Sequence, residues 1–363
     1  MASLKVGIVG LPNVGKSTLF NALMEREMAK VGQHPFTTVT PNKGMVAVPD
    51  ERLEKLVKLL KKTNKDINVK PASIEFVDIA GLVKGAAEGA GLGNQFLSHI
   101  REVDLILHVL REFENPKVPH VSGRVDPVSD VATTDLELIL SDFEVVAKAL
   151  QEREKKVRDN KKIAREVAIL QKLKKALEKG RPAISVDLSD EEKKDIGSFN
   201  LITLKPVIFI VNISEKHLEA EDYPKGDLPE GIVVPVCVKL AADLYDLDKK
   251  DRQEFLSQFK LKKTGLEQLI KSCYKTLGLI TFYTLKREKV ISAWPISEQT
   301  TAIDGAGSIH SDFVKRFIKA EVIDWKKLYQ VGSWKEARQK GLLHFEGKNY
   351  KIVDGDIIEF IFN

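Results

Sequence analysis

Two cysteines in 363 residues, Cys237 and Cys273, are too few for a disulfide framework and too far apart for a metal-ligand pair. Both read as packing residues. No apolar run approaches the roughly 20 residues that a membrane-spanning helix needs. The opening residues pass directly into Leu4-Lys5-Val6-Gly7-Ile8-Val9, without a signal-peptide pattern, so a cytoplasmic protein is expected. Strong charge of one sign is lacking as well, with 57 Lys and Arg against 52 Asp and Glu. The small excess is local: between Gln151 and Arg181, twelve basic residues face five acidic ones. Internal repeats and low-complexity linkers are missing too. With 43% hydrophobic residues, the length suffices for two or three packed domains.

From Leu4 to about His120, short β-branched runs alternate with helical patterns, the signature of βαβ units around a mostly parallel sheet. The runs are Val6 to Val9, Ile74 to Val77 and Leu105 to Leu110, with helices expected after Lys16, over Glu51 to Lys61 and over Asn94 to Arg101. A fourth buried-strand pattern, Val207 to Val211, comes only after a long interruption. The interruption has helical spacing: Leu136, Ile139, Leu140, Phe143 and Val146, then Ile163, Val167, Leu170, Leu173 and Leu177. It reads as an antiparallel helical hairpin whose charged middle, Glu152 to Lys162, is a solvated turn or the tip of a coiled coil. After a last helix over Leu266 to Leu277 the texture changes. Phe282 to Leu285, a Gly-rich loop at Gly305 to Gly307, a helix near Asp312 to Phe317 and terminal strands suggest a small separate α+β domain.

Gly10-Leu11-Pro12-Asn13-Val14-Gly15-Lys16-Ser17 follows the first strand and opens the first helix. That context marks a P-loop, in which successive backbone N–H groups and the helix N-terminus wrap phosphates. Asn13, Val14, Gly15, Lys16, Ser17 and Thr18 are the expected nucleotide-binding residues. Lys16 supplies a point charge to the β- and γ-phosphates, and the Ser17 hydroxyl ligates Mg²⁺. Asp78, in Asp78-Ile79-Ala80-Gly81 at the end of the second strong strand, has the place of a Walker-B aspartate on the same ion. The glycines that follow, at positions 85, 89, 91 and 93, have the composition of a nucleotide-sensitive switch. Upstream, Pro35-Phe36-Thr37-Thr38 has the place of a switch threonine. Thr38 is taken over Thr37, between which position alone does not decide.

After the fourth strand comes Asn212-Ile213-Ser214-Glu215, where GTPases carry Asn-Lys-x-Asp. In that pattern the aspartate accepts hydrogen bonds from guanine N1 and N2. Adenine has an acceptor at N1 and no 2-amino group, and Glu215 is one methylene longer. Guanine selectivity is therefore in doubt, and a polar cluster capping the next helix is the plainer alternative.

These motifs, with Pro41-Asn42, Gly91-Leu92-Gly93-Asn94-Gln95-Phe96-Leu97-Ser98-His99-Ile100-Arg101, His120-Val121-Ser122-Gly123 and Ala306-Gly307-Ser308-Ile309-His310-Ser311-Asp312-Phe313, run the whole length of the chain. The chain resembles the YchF/Obg-like ATPase family of P-loop NTPases. The resemblance implies an α/β fold: a P-loop domain over 1–130 and 200–278, an inserted helical coiled-coil domain over 131–199, and a C-terminal α+β TGS domain of β-grasp type over 279–363. It implies ATP preferred to GTP, through Asn212, Ile213 and Glu215. It also implies that His120 takes the catalytic role of the water-positioning glutamine of Ras-type proteins, whose place here is Leu82. Asn13 is implied as a K⁺-placing residue. Val236-Cys237-Val238-Lys239 stands where the wider class has Ser-Ala-Lys, a departure that touches base selection and leaves the phosphate site alone.

The cofactors that follow are Mg²⁺ and, as a hypothesis, K⁺. The implied partner beside ATP or GTP is the ribosome or its subunits, with the basic hairpin and the TGS domain as candidate RNA contacts. A charge run on a hairpin is as often only a solvated face. The leading expectation is a slow ATP-hydrolysing switch. A small-molecule kinase would need an Arg-rich lid that no segment provides, and a non-enzymatic RNA-binding module would retain ribosome binding without Lys16.

Overall fold

The computed structural model describes residues 4–30, 43–62, 66–79, 92–157, 160–218, 228–229, 231–244, 247, 249–258 and 265–363. The first strands in chain order are β1 (Lys5–Val9), β2 (Lys43–Ala47), β3 (Asn68–Lys70), β4 (Ser73–Asp78), β5 (Leu105–Arg111), β6 (Val207–Asn212) and β7 (Ile232–Val236). One six-stranded sheet runs β2-β4-β1-β5-β6-β7. The β4-β1-β5-β6-β7 pairings are all parallel, so the central strands are buried on both faces and read as continuous apolar runs. Helices α1 (Lys16–Lys30), α2 (Glu51–Leu60) and α3 (Leu92–Arg101) follow the early strands as the periodicity indicates.

Contacts divide the described chain into two compact units, Leu4–Gly44 with Glu75–Leu269, and Met45–Ile74 with Ile270–Asn363. The segment 45–74, read from sequence with the nucleotide-binding domain, packs instead with C-terminal residues. The reason lies in α2, where Asp50 caps the N-terminus by accepting from the Arg52 N–H and Leu53, Leu56 and Leu60 line one face. That face joins Tyr283, Ile323 and Ile357 in one core. Asp50 also accepts from the Tyr283 hydroxyl, and Arg52 bridges Asp50 and Asp354.

Between β5 and β6 stand α4 (Pro127–Glu154), α5 (Lys161–Leu177) and α6 (Asp190–Ile196). α4 begins at Asp126, which caps the Ser129 N–H, with Pro127 in the first turn; α5 begins at Asn160, which caps Lys162 and Ile163. The two helices pack through Val146, Leu150, Ile169, Leu170, Leu173 and Leu177. Each such side chain contributes roughly 1.5–3 kcal/mol on burial. The expected stripe on the first arm is corrected at two positions, because Leu136 and Leu140 are exposed. Near its root α4 instead buries Asp130, Thr134, Glu137, Ser141 and Asp142. Polar partners waiting there, unlike periodicity, are invisible in the sequence.

Asp142 is the root of the insertion. Its carboxylate accepts from the Arg101 guanidinium of α3, the backbone N–H groups of Ile202 and Thr203, and the Thr203 hydroxyl. Arg101 also reaches the Ser141 hydroxyl and the carbonyl oxygens of Ser141 and Asn200.

Within the C-terminal unit the strands are β8 (Leu279–Lys286), β9 (Val290–Ser297), β10 (Phe317–Asp324), β11 (His344–Glu346) and β12 (Asp356–Phe362), in the order β11-β10-β12-β8-β9-β3. Gly305 and Gly307, expected in a loop, lie inside the helix Ala302–Ile309. A Cβ on Gly305 would collide with the Ile352 side chain, so this glycine serves close packing and not turning. Among the described residues no helix is long and apolar enough to cross a membrane.

Removing the Asp142 carboxylate leaves Arg101 and two backbone N–H groups without their acceptor. Asp142→Ala is expected to lower the unfolding free energy by about 3–5 kcal/mol in chemical denaturation. A loss below about 1 kcal/mol would contradict this account of the root.

Candidate nucleotide-binding site

β1 delivers the chain into a loop that only particular residues can follow. Gly10 has φ +146°, and a Cβ there would lie 2.5 Å from the Val109 carbonyl oxygen of β5. Gly15 has φ +104°, and a Cβ would collide with the Asn212 side-chain amide. Asn13 is left-handed at φ +65°, a conformation asparagine tolerates better than most residues. α1 then starts at Lys16, so its free N–H groups face the loop.

Lys16 is nearly buried and donates to the Leu11 carbonyl oxygen at 2.8 Å. Burial pulls its ammonium down to about 8, and the Asp78 charge opposes that shift. Asp78, at the end of β4, is raised above the usual carboxylate range by burial, while a hydrogen bond from Ser17 and the Lys16 charge pull the other way. Its Oδ1 atom is buried with no partner among the described residues. A hydroxyl beside an orphaned carboxylate oxygen suits a hard divalent cation, which takes oxygen ligands and keeps several waters. Thr38, Gly81 and Leu82 lie outside the described residues.

Asn212 ends β6, and protein engages both ends of its side-chain amide. It donates to the Val14 carbonyl oxygen at 3.0 Å and accepts from the Val238 N–H at 3.2 Å. Its amide ties the phosphate loop to the segment after β7. Glu215 opens a short 3₁₀ turn, and its carboxylate lies 3.3 Å from the Lys239 ammonium. A cavity of about 640 Å³ runs between these ends, lined by Asn13, Lys16, Ser17, Ile213 and Glu215 among others. Gly15, Thr18 and Asn212 also line it, whereas Val14 is fully buried beneath.

His120 does not line this cavity. Its ring is 2.9 Å from Asp130 of α4 through Nε2, and its Nδ1 accepts from the Ser122 N–H, which assigns the proton to Nε2. Both side chains are buried, at 2% and 3% exposure. The link to the phosphate loop is through its neighbour, because Asn13 Nδ2 donates to the Pro119 carbonyl oxygen at 3.1 Å.

A family model described as a 50S ribosome-binding GTPase matches residues 5–186, and a model for the YchF GTPase C-terminal region, described as of unknown function, matches residues 279–363. The chain is 43% identical to a protein of Bacillus subtilis (strain 168) named ribosome-binding ATPase YchF, over 99% of this chain and 100% of the relative. The chain belongs to the YchF family. A protein of the same name from Escherichia coli O157:H7 is 42% identical over 99% of both chains. The structure of the Schizosaccharomyces pombe YchF GTPase superposes with a TM-score of 0.87 at 34% identity, covering 99% of this chain and 98% of that one.

In this YchF-family chain, the sequence gives little sign of the role of the stretch between β5 and His120. Phe113, Asn115 and Val118 line the cavity. Arg111, 1% exposed, holds Phe113 and Val118 there. Its guanidinium donates to the carbonyl oxygens of Phe113, Val118 and Asn13 and lies over the Phe113 ring. The available signal was a charged residue closing a strand buried at every position.

Lys16 also sets a pH dependence. The folded chain releases this proton near pH 8 and the unfolded chain near 10.5, so between those values the unfolded state binds more protons and stability rises with pH. Nucleotide-free wild type is expected to gain stability relative to Lys16→Met across that window. A flat difference in denaturation midpoints from pH 8 to 10.5 would refute the burial account.

Proposed function

We propose that this chain is a ribosome-associated ATPase switch that hydrolyses ATP slowly and in preference to GTP. Its relatives bear the name ribosome-binding ATPase. The observation that carries the nucleotide preference is the Glu215 carboxylate engaged by Lys239 at 3.3 Å. A carboxylate so occupied is less free to accept from guanine N1 and N2, and adenine makes no such demand.

In this reading the phosphates lie over the N-terminus of α1, where Lys16 supplies the positive charge and the Gly10 to Gly15 backbone supplies donors. Ser17, Asp78 and Thr38 would hold Mg²⁺, which would neutralise phosphate charge. Asn13 would offer its amide oxygen to K⁺. His120 positions the attacking water. The domains of this reading are 1–130 with 200–278 for nucleotide, save that 45–74 packs with the C-terminal residues, 131–199 for the helical insertion and 279–363 for the TGS module. Partner contact falls to the insertion and the C-terminal residues. In α5, Lys161, Lys162 and Lys175 add positive charge suited to a phosphate backbone. A protein that acts on ribosomes would do so in the cytoplasm.

Calorimetric titration is expected to give ATP an affinity at least tenfold above that of GTP, about 1.4 kcal/mol. The reverse order would overturn the base-site reading. His120→Ala is expected to lower kcat by about 10²-fold or more with ATP affinity unchanged, and hydrolysis at the wild-type rate would remove His120 from the mechanism.

A further inference from the structure

The resting position of His120 poses a problem that its proposed role does not solve. Its Nε2 is spent on Asp130 and its Nδ1 on the Ser122 N–H, so neither nitrogen is free to meet a water. The ring is buried and absent from the cavity lining, while Val118 of the same loop and Asn13 of the phosphate loop do line it. Histidine can serve from here only after an exchange of partners.

The loop is built for such an exchange. At its near end Arg111 pins the Phe113 and Val118 carbonyl oxygens and the Asn13 carbonyl oxygen together, a buried pivot of one guanidinium. Beyond the pivot, two side-chain contacts hold the stretch that carries His120. One is Asn13 Nδ2 on the Pro119 carbonyl oxygen, made by a residue of the phosphate loop itself. The other is Asp130, in the first turn of α4, the helix that begins the insertion. Nucleotide-loop geometry acts on the first contact and the position of α4 acts on the second.

We propose that Asp130 is a positioning residue that latches His120 outside the nucleotide cavity, and that hydrolysis proceeds from the arrangement in which His120 has left Asp130. This rests on the proposed role of His120. The groups facing the pair are Ser122 from the loop, Asp126 at the α4 cap and Arg124 between them, with Arg124 drawn to Asp126 and Ser129. Asp130 is the one hydrogen-bond partner that joins the His120 side chain to the insertion among the described residues.

The test uses the full chain with Mg²⁺ and ATP. Asp130→Asn keeps the shape and an acceptor oxygen and removes the charge. It is expected to raise kcat roughly three- to tenfold with KM unchanged, and Asp130→Glu is expected to restore the slow rate. The gain must vanish in Asp130→Asn/His120→Ala. If Asp130→Asn lowers kcat or leaves it unchanged, with its melting temperature and ATP affinity intact, the latch is wrong. Should Asp130→Asn fail to fold, histidine nitrogen shifts of the wild-type chain decide. The His120 ring should change environment between the nucleotide-free protein and the complex with ADP and aluminium fluoride, and an unchanged Nε2-protonated, Asp130-bonded signal would overturn the proposal. His120→Ala alone separates the two readings. Full activity there removes the catalytic reading of His120, whereas lost activity without a gain in Asp130→Asn removes only the latch.

Discussion

One side-chain amide holds the nucleotide site together. Asn212 crosses from the end of β6 to the Val14 carbonyl oxygen of the phosphate loop and takes the Val238 N–H with its other end. Gly15 must be glycine because that amide presses against the space a Cβ would occupy. Gly10 is constrained likewise by the Val109 carbonyl oxygen of β5. A loop with left-handed φ at three of its residues is costly to hold, and it persists where the surrounding structure over-determines it. Here the neighbouring strands of the parallel sheet do so, which is why the loop can offer its N–H groups already oriented.

The insertion is joined to this core by buried charge and not by apolar packing alone. Asp142 collects Arg101 of α3 with three donors from Ile202 and Thr203. Lys205 closes the C-terminal end of α3 by donating to the carbonyl oxygens of Ile100, Arg101 and Val103, and burial lowers its ammonium to about 8. Such contacts are sensitive to small displacements, since a buried charge that loses its partner is expensive. α3 follows the glycine-bearing segment after Asp78, so a helix next to a candidate switch is bolted to the root of α4. Asp130 lies in the first turn of that same helix, and His120 bonds to it from the loop before. The site and the insertion are therefore mechanically one body.

Much of this was legible beforehand. Continuous apolar runs at β1, β5 and β6 announced a parallel sheet, and the gap between the latter two announced the insertion. The phosphate loop could be read because its glycines and Lys16 are dictated locally, by φ and by the requirement for a charge at a helix start. Legibility failed where a residue's meaning depends on a distant partner. Leu136 and Leu140 follow the helical period yet face solvent, because the root of α4 is polar. The glycines at 305 and 307 resemble a loop yet lie in a helix, where Ile352 and Val314 occupy the room that their side chains would need.

The sequence by itself determined the class of chemistry: a loop that wraps phosphate, a serine and an aspartate suited to a divalent ion, and an Asn-x-x-Glu motif in place of a guanine reader. These are decided by residue type and short spacing, so they survive without coordinates. The tertiary structure alone decided that Arg111 fixes the cavity wall, that Glu215 meets Lys239, and that α2 belongs to the core of the C-terminal residues. It also decided that His120 rests on Asp130 and away from the cavity. Those facts concern pairs far apart in the chain or loops without periodicity, and only the folded backbone brings them within hydrogen-bonding distance.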